Sequence, residues 1–156
     1  MKDLQDRVKK LLCQEDLSKD EKVQLLDDLY WADWAELNKD YKEQIDQVFS
    51  YIGRDDLSKE EIAKVLSLYN NLEGIYVTEF ANVIKDYYIK DRVKFLKSLH
   101  LNPEEAINLV YIFKVYDIFE DGMEEFESVK DLGKLNQDEL ETAQSFFSKF
   151  RAICDT

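Results

Sequence analysis

Nucleophilic and general-base catalysis most often draws on histidine, and this sequence holds one, His100. No third group is identifiable that would orient it as a base. Its place where the fifth helix should end suits a structural role, bonding the last carbonyls and opposing the negative end of the helix dipole. Cys13 and Cys154 lie near opposite ends of the chain with no CxxC pair. With so few other ligands they read as two reduced thiols rather than a metal site.

Phosphate chemistry is equally short of apparatus. Four separated glycines supply no P-loop, dinucleotide fingerprint or GxSxG elbow. A bundle-type di-iron centre needs Glu-x-x-His on two helices, and that pattern is absent. Asp117 to Gly122 places aspartates and glycine as a calcium loop does, but Phe119 and Ser128 stand where two ligands are required. The acid pairs Glu124 with Glu127 and Asp138 with Glu141 have helical spacing, and all-α pyrophosphatases hold magnesium with such pairs. Among 34 acidic residues, however, such spacings arise by chance.

What the charge does offer is a surface. Between Asp117 and Glu141, ten acids stand against Lys130 and Lys134, a net −8 of the chain's −13. Asp117, Glu120, Asp121, Glu124, Glu125, Glu127 and Asp131 are the candidates for docking a basic partner, which such a field would steer and orient. The bland alternative is a solubilising face. Lys90, Lys94 and Lys97 share one helix face, but against this net charge they fall short of a nucleic-acid groove and read as solvated, paired with Asp86 and Asp91. Trp31 falls off the apolar stripe of Val23, Leu26, Tyr30, Trp34 and Leu37. It is expected to pack under a neighbouring hairpin, or, if exposed, to act as a binding hot spot.

The elements that must position these residues are helical. Four glycines and one proline are too few for the hairpins of a β protein. A pentapeptide of Leu, Ser or Asn, any residue, an acid and Glu recurs at Leu17–Glu21, Leu57–Glu61, Leu101–Glu105 and Leu135–Glu139. In each copy a cap oxygen and a Glu three residues on can satisfy first-turn N–H groups reciprocally, so each marks a helix start. Apolar spacing then predicts helices near 4–12, 23–37, 41–52, 62–72, 78–99, 103–120, 123–132 and 137–154. Gly53, Gly74, Gly122 and Gly133 follow predicted helices, where left-handed caps are wanted. Residues 106–119 are apolar on nearly every side, which predicts a central helix enclosed by others.

The expected fold is a single all-α domain over 1–156, a compact multi-helix bundle of about seven or eight helices arranged as four hairpins. The intervals between start signals, 40, 44 and 34 residues, leave a short α-solenoid as the alternative. No segment has the length and apolarity of a membrane span, and the charged N-terminal residues supply no signal-peptide core, so a cytoplasmic, unanchored protein is expected.

The expected function is a non-catalytic protein-interaction domain with an acidic face, of immunity, antitoxin or inhibitor type, binding a basic protein such as a nuclease. A carboxylate- and magnesium-dependent phosphohydrolase and a helical-repeat scaffold are the alternatives. No catalytic residue, cofactor or metal ligand is assigned, and neither direct nucleic-acid binding nor membrane binding is expected. No oligomeric state follows from the sequence.

Overall fold

The computed structural model describes residues 2–53, 57–68 and 76–154. Among these the chain is all-helical, with ten α-helices, a 3-10 turn at Pro103–Glu105 and no strand. The chain divides into two compact units, Met1–Val83 and Ile84–Thr156.

The first unit holds α1 (Lys2–Cys13), α2 (Lys19–Leu29), α3 (Trp34–Asp40), α4 (Lys42–Ile52), α5 (Lys59–Leu66) and the first half of α6 (Val77–Lys90). Ser18 and Ser58 form the anticipated capping boxes with Glu21 and Glu61. The core comprises Val8, Leu26, Leu29, Leu37, Ile45, Ile52, Val65, Leu66, Phe80 and Trp34, whose indole N–H donates to the Leu29 carbonyl at 3.0 Å. Tyr76 lies 5.8 Å from Trp34 ring to ring, and its hydroxyl donates to Asn38 Oδ1 at 2.7 Å. Arg7 grips the buried Asp28 carboxylate with two nitrogens at 2.6 and 2.7 Å. That fork fixes α1 against α2 and leaves no buried charge unpaired there.

The second unit holds the rest of α6, then α7 (Arg92–Leu101), α8 (Ala106–Val115), α9 (Gly122–Asp131) and α10 (Gln137–Cys154). Here α10 is the organising element, packing against α7, α8 and α9. Its Phe146, Phe147 and Phe150 meet Phe95, Phe113, Phe119 and Phe126 in a continuous aromatic core. Asn136 and Glu139 make the third reciprocal cap, at 2.8 and 2.9 Å, where α10 begins. The fourth start signal behaves differently. Pro103 opens a 3-10 turn, and Asn102 makes no side-chain cap bond to it.

Two of the eight anticipated helices are broken, which accounts for ten. The run 23–37 stops after Leu29 because Asp33 caps a new helix, accepting from the Glu36 N–H at 3.0 Å. Gln5 of α1 pins the break by bonding both the N–H and the carbonyl of Asp33. The run 78–99 breaks at Asp91, which leaves helical φ/ψ to accept from the Lys94 N–H at 3.0 Å. In each case a side-chain carboxylate competes with the backbone for an N–H, which periodicity does not register.

The glycine expectation is corrected in part. Gly133 is left-handed, with φ +67. Gly53 is right-handed. Gly122 begins α9 instead of ending a helix, and a Cβ there would meet the Phe147 carbonyl oxygen at 2.9 Å, so glycine is what lets α9 close on α10. The helix near 103–120 ends early, at Val115, and Asp117 takes the left-handed position with φ 49. Gly74, Tyr69 and Leu72 lie outside the described residues, as does the Cys154 side chain; Cys13 is an exposed free thiol.

Candidate partner-binding surface

Helix α9 sorts the acids anticipated as one patch into two kinds. Its inner face buries Phe126 and Val129, with Phe126 6.3 Å from Phe147 of α10. Glu125 shares the inward side. It accepts hydrogen bonds from the Tyr88 hydroxyl and from Arg92, the latter at 3.1 Å. Burial, reinforced by this carboxylate, pushes the Tyr88 phenol far above the usual tyrosine range. Asp121 has a different task, capping α9 by accepting from the N–H groups of Met123 and Glu124 at 2.9 and 3.3 Å.

Glu124, Glu127 and Asp131 remain, spaced by three and four residues on the outward side of the same helix. All three are exposed, and none forms an ion pair among the described residues. Glu120 and Asp117 are exposed in the segment before α9. Within the wider acidic stretch Glu139 is also structural. Burial alone would raise its pKa, but the Asn136 N–H, Lys97 at 3.1 Å and the field of His100 together hold it below the ordinary carboxylate range. Lys97 is therefore committed to Glu139 rather than to Asp86 or Asp91. The His100 Nδ1 lies 2.8 Å from Thr142 Oγ1, an orienting contact between α7 and α10.

A feature the sequence did not disclose lies on α8. Leu109, Val110, Ile112 and Phe113 are buried, but Ile107, Tyr111 and Val115 are 44%, 51% and 73% exposed. The anticipated enclosure of this helix is therefore incomplete: one face packs and the opposite face is bare. The three residues follow i, i+4, i+8 and run toward the exposed acids at Asp117 and Glu120. Trp31, in the first unit, is 65% exposed with Tyr30 edge-on at 4.7 Å. It is not tucked under a hairpin, because the break after Leu29 moves it from a helix wheel into a turn.

The carboxylate pairs offered for magnesium are all solvent-facing: Glu124, Glu127, Asp138 and Glu141 are exposed. Among the described residues no three His, Cys, Asp or Glu side chains converge as a metal site would require, and no helix is long and apolar enough to cross a membrane. No protein-family model matches the chain, and comparisons with curated proteins and with solved structures find no relative.

Proposed function

We propose that this chain is a non-catalytic protein-interaction domain whose acidic face on α9 docks a basic partner protein, as an immunity, antitoxin or inhibitor protein docks and blocks a basic enzyme such as a nuclease. The observation that carries the reading is the division of labour on α9. Asp121 and Glu125 hold the fold, whereas Glu124, Glu127 and Asp131 are exposed along one side of the helix and make no side-chain hydrogen bond or ion pair among the described residues. Like charges gathered on one exposed face repel, so such a face is relieved by a complementary surface.

The bare stripe of Ile107, Tyr111 and Val115 supports the same reading, since interfaces combine an apolar centre with a charged rim, and tyrosine is over-represented among their energetic anchors. Basic proteins in which lysine and arginine line a substrate groove are the fitting class. The experiment is a capture from native-host extract with two baits, the natural chain and a Glu124→Gln, Glu127→Gln, Asp131→Asn variant. A basic protein retained stoichiometrically by the first and lost by the second supports the assignment. Equal retention by both baits, or none by either, counts against it.

A further inference from the structure

The start of α9 joins two residues that different parts of the fold require. Gly122 has no room for a side chain, since a Cβ there would meet the Phe147 carbonyl oxygen at 2.9 Å and the Phe150 ring at 3.3 Å. Asp121 is the cap, its Oδ1 accepting from the Met123 and Glu124 N–H groups at 2.9 and 3.3 Å. Packing asks for the glycine, and capping asks for an oxygen-bearing side chain just before it. Together they make an Asp-Gly pair, which occurs once in the sequence. Such a pair has a covalent chemistry of its own. A backbone nitrogen that follows an aspartate can attack the side-chain carboxyl carbon, and glycine hinders that attack least because it carries no Cβ beside the nitrogen. The N–Cγ bond forms, the N–H proton and the carboxyl OH leave as water, and a five-membered imide closes. Water then opens the ring at either carbonyl. Breaking the new N–Cγ bond restores aspartate. Breaking the bond from nitrogen to the former backbone carbonyl leaves isoaspartate, whose main chain runs through Cβ and Cγ and is longer by a methylene. No oxidant or further reactant is needed.

Position exposes the pair, and local hydrogen bonds gate it. Asp121 is solvent-exposed. The Gly122 N–H, at the first helical position, has no intrahelical acceptor, so nothing within the helix ties up the attacking nitrogen. With Asp121 at ψ 112, however, that nitrogen is turned away from the carboxyl carbon. Closing the ring requires rotation about the Asp121 Cα–C bond. That rotation gives up both cap bonds and the bond from the Glu125 N–H to the Asp121 carbonyl at 3.1 Å. Helix ends open at far lower cost than a core does. Glu120, just ahead of the pair, is exposed and lies outside any helix, so the first turn can open while Phe126 and Val129 stay buried. We propose that Asp121–Gly122 is a site of spontaneous aspartate isomerisation, gated by opening of the first turn of α9, and that its product leaves α9 without its cap. The chemistry uses none of the outward acids and does not depend on the docking reading above.

The test ages the full-length chain beside the acetylated, amidated hexapeptide Phe119–Glu124 at neutral pH and body temperature, in water labelled with heavy oxygen. Isomerisation leaves the mass unchanged, so isoaspartate is located by the label gained at residue 121 and by electron-transfer fragmentation. A cap is worth about two- to thirtyfold in the opening equilibrium, and the chain should isomerise more slowly than the peptide by about that factor. Hydrogen exchange gives an independent value for the same opening. The protection factor of the Glu125 amide should match the peptide-to-chain rate ratio within a few-fold, because one rotation frees that amide and admits ring closure. Asp121→Ser keeps a cap oxygen without the carboxyl carbon, so it should show no modification at this position and little change in the urea midpoint. The isomerised chain, separated by ion exchange, should lose protection at the Met123 and Glu124 amides. Conversion of the chain below about 2% when the peptide is half converted would overturn the assignment, as would equal conversion at aspartates outside the pair. A rate ratio more than about tenfold from the Glu125 protection factor would overturn the gate. An isomerised chain with both amides still protected would overturn the loss of the cap.

Discussion

Replacing Phe113 with alanine is the perturbation that bears most directly on how the second unit is held together. The side chain is fully buried and sits at ring-centroid distances of 5.1 Å from Tyr88, 5.5 Å from Phe95, 5.6 Å from Phe119 and 5.1 Å from Phe146. Those neighbours come from α6, α7, the segment after α8, and α10, so no single side chain can swing in to fill the space. Truncation of a buried phenylalanine costs about 3–5 kcal/mol, with the upper end expected where the surroundings cannot collapse. Phe113→Leu keeps most of the volume and should cost less than about 1.5 kcal/mol beyond the lost ring contacts, themselves about 0.5–1.5 kcal/mol per pair. Reversible urea denaturation followed by far-UV circular dichroism gives both values. Hydrogen exchange should place the loss of protection in residues 84–156. A cost for Phe113→Ala below about 1 kcal/mol would refute the packing argument for this core.

Three further outcomes follow from the same geometry. Gly122→Ala should destabilise by about 1–3 kcal/mol in the same denaturation assay, because its Cβ would meet the Phe147 backbone carbonyl at 2.9 Å and the Phe150 ring at 3.3 Å, so α9 must shift away from α10. Acid titration should report Glu139. Its folded pKa lies below its unfolded value near ~4.3, so its contribution is complete above that value and is lost as pH falls through the folded one. Glu139→Gln should therefore flatten the loss of stability on the acid side of pH ~4. At the alkaline end the sign reverses for Tyr88, whose folded pKa is raised. The unfolded phenol ionises above pH ~10 while the folded one stays neutral, so stability falls with rising pH there, and Tyr88→Phe should remove that share of the slope.

Helical period and the reciprocal caps were enough to read most of this architecture, because Ser18, Ser58 and Asn136 each announce a start that local chemistry alone decides. The two breaks were not readable from period. Asp33 and Asp91 interrupt otherwise continuous stripes, and the Asp33 break is stabilised by Gln5, a residue 28 positions away. Trp31 is exposed for that reason: the helix whose period would place it beside a neighbouring hairpin ends at Leu29. On α8 the sequence is apolar on both sides, and nothing in it distinguishes the side that meets α10 from the side that meets solvent. The acidic stretch was visible as charge, but the separation of Glu125 and Glu139 from Glu124, Glu127 and Asp131 depends on Tyr88, Arg92 and Lys97, which lie more than thirty residues upstream of their carboxylate partners.

The claim that the outward acids of α9 bind a basic partner is tested most directly by association kinetics with that partner across a salt series. Summed charge governs encounter more than any single contact, so Glu124→Gln, Glu127→Gln and Asp131→Asn together should slow association more than they speed dissociation. The screening length falls from ~8 Å at physiological ionic strength to ~3 Å at 1 M. The natural chain's on-rate should therefore fall across that range and approach that of the triple variant at high salt. An on-rate indifferent both to salt and to the three substitutions would contradict the account, leaving the acidic face a solubilising surface and directing the search to Trp31.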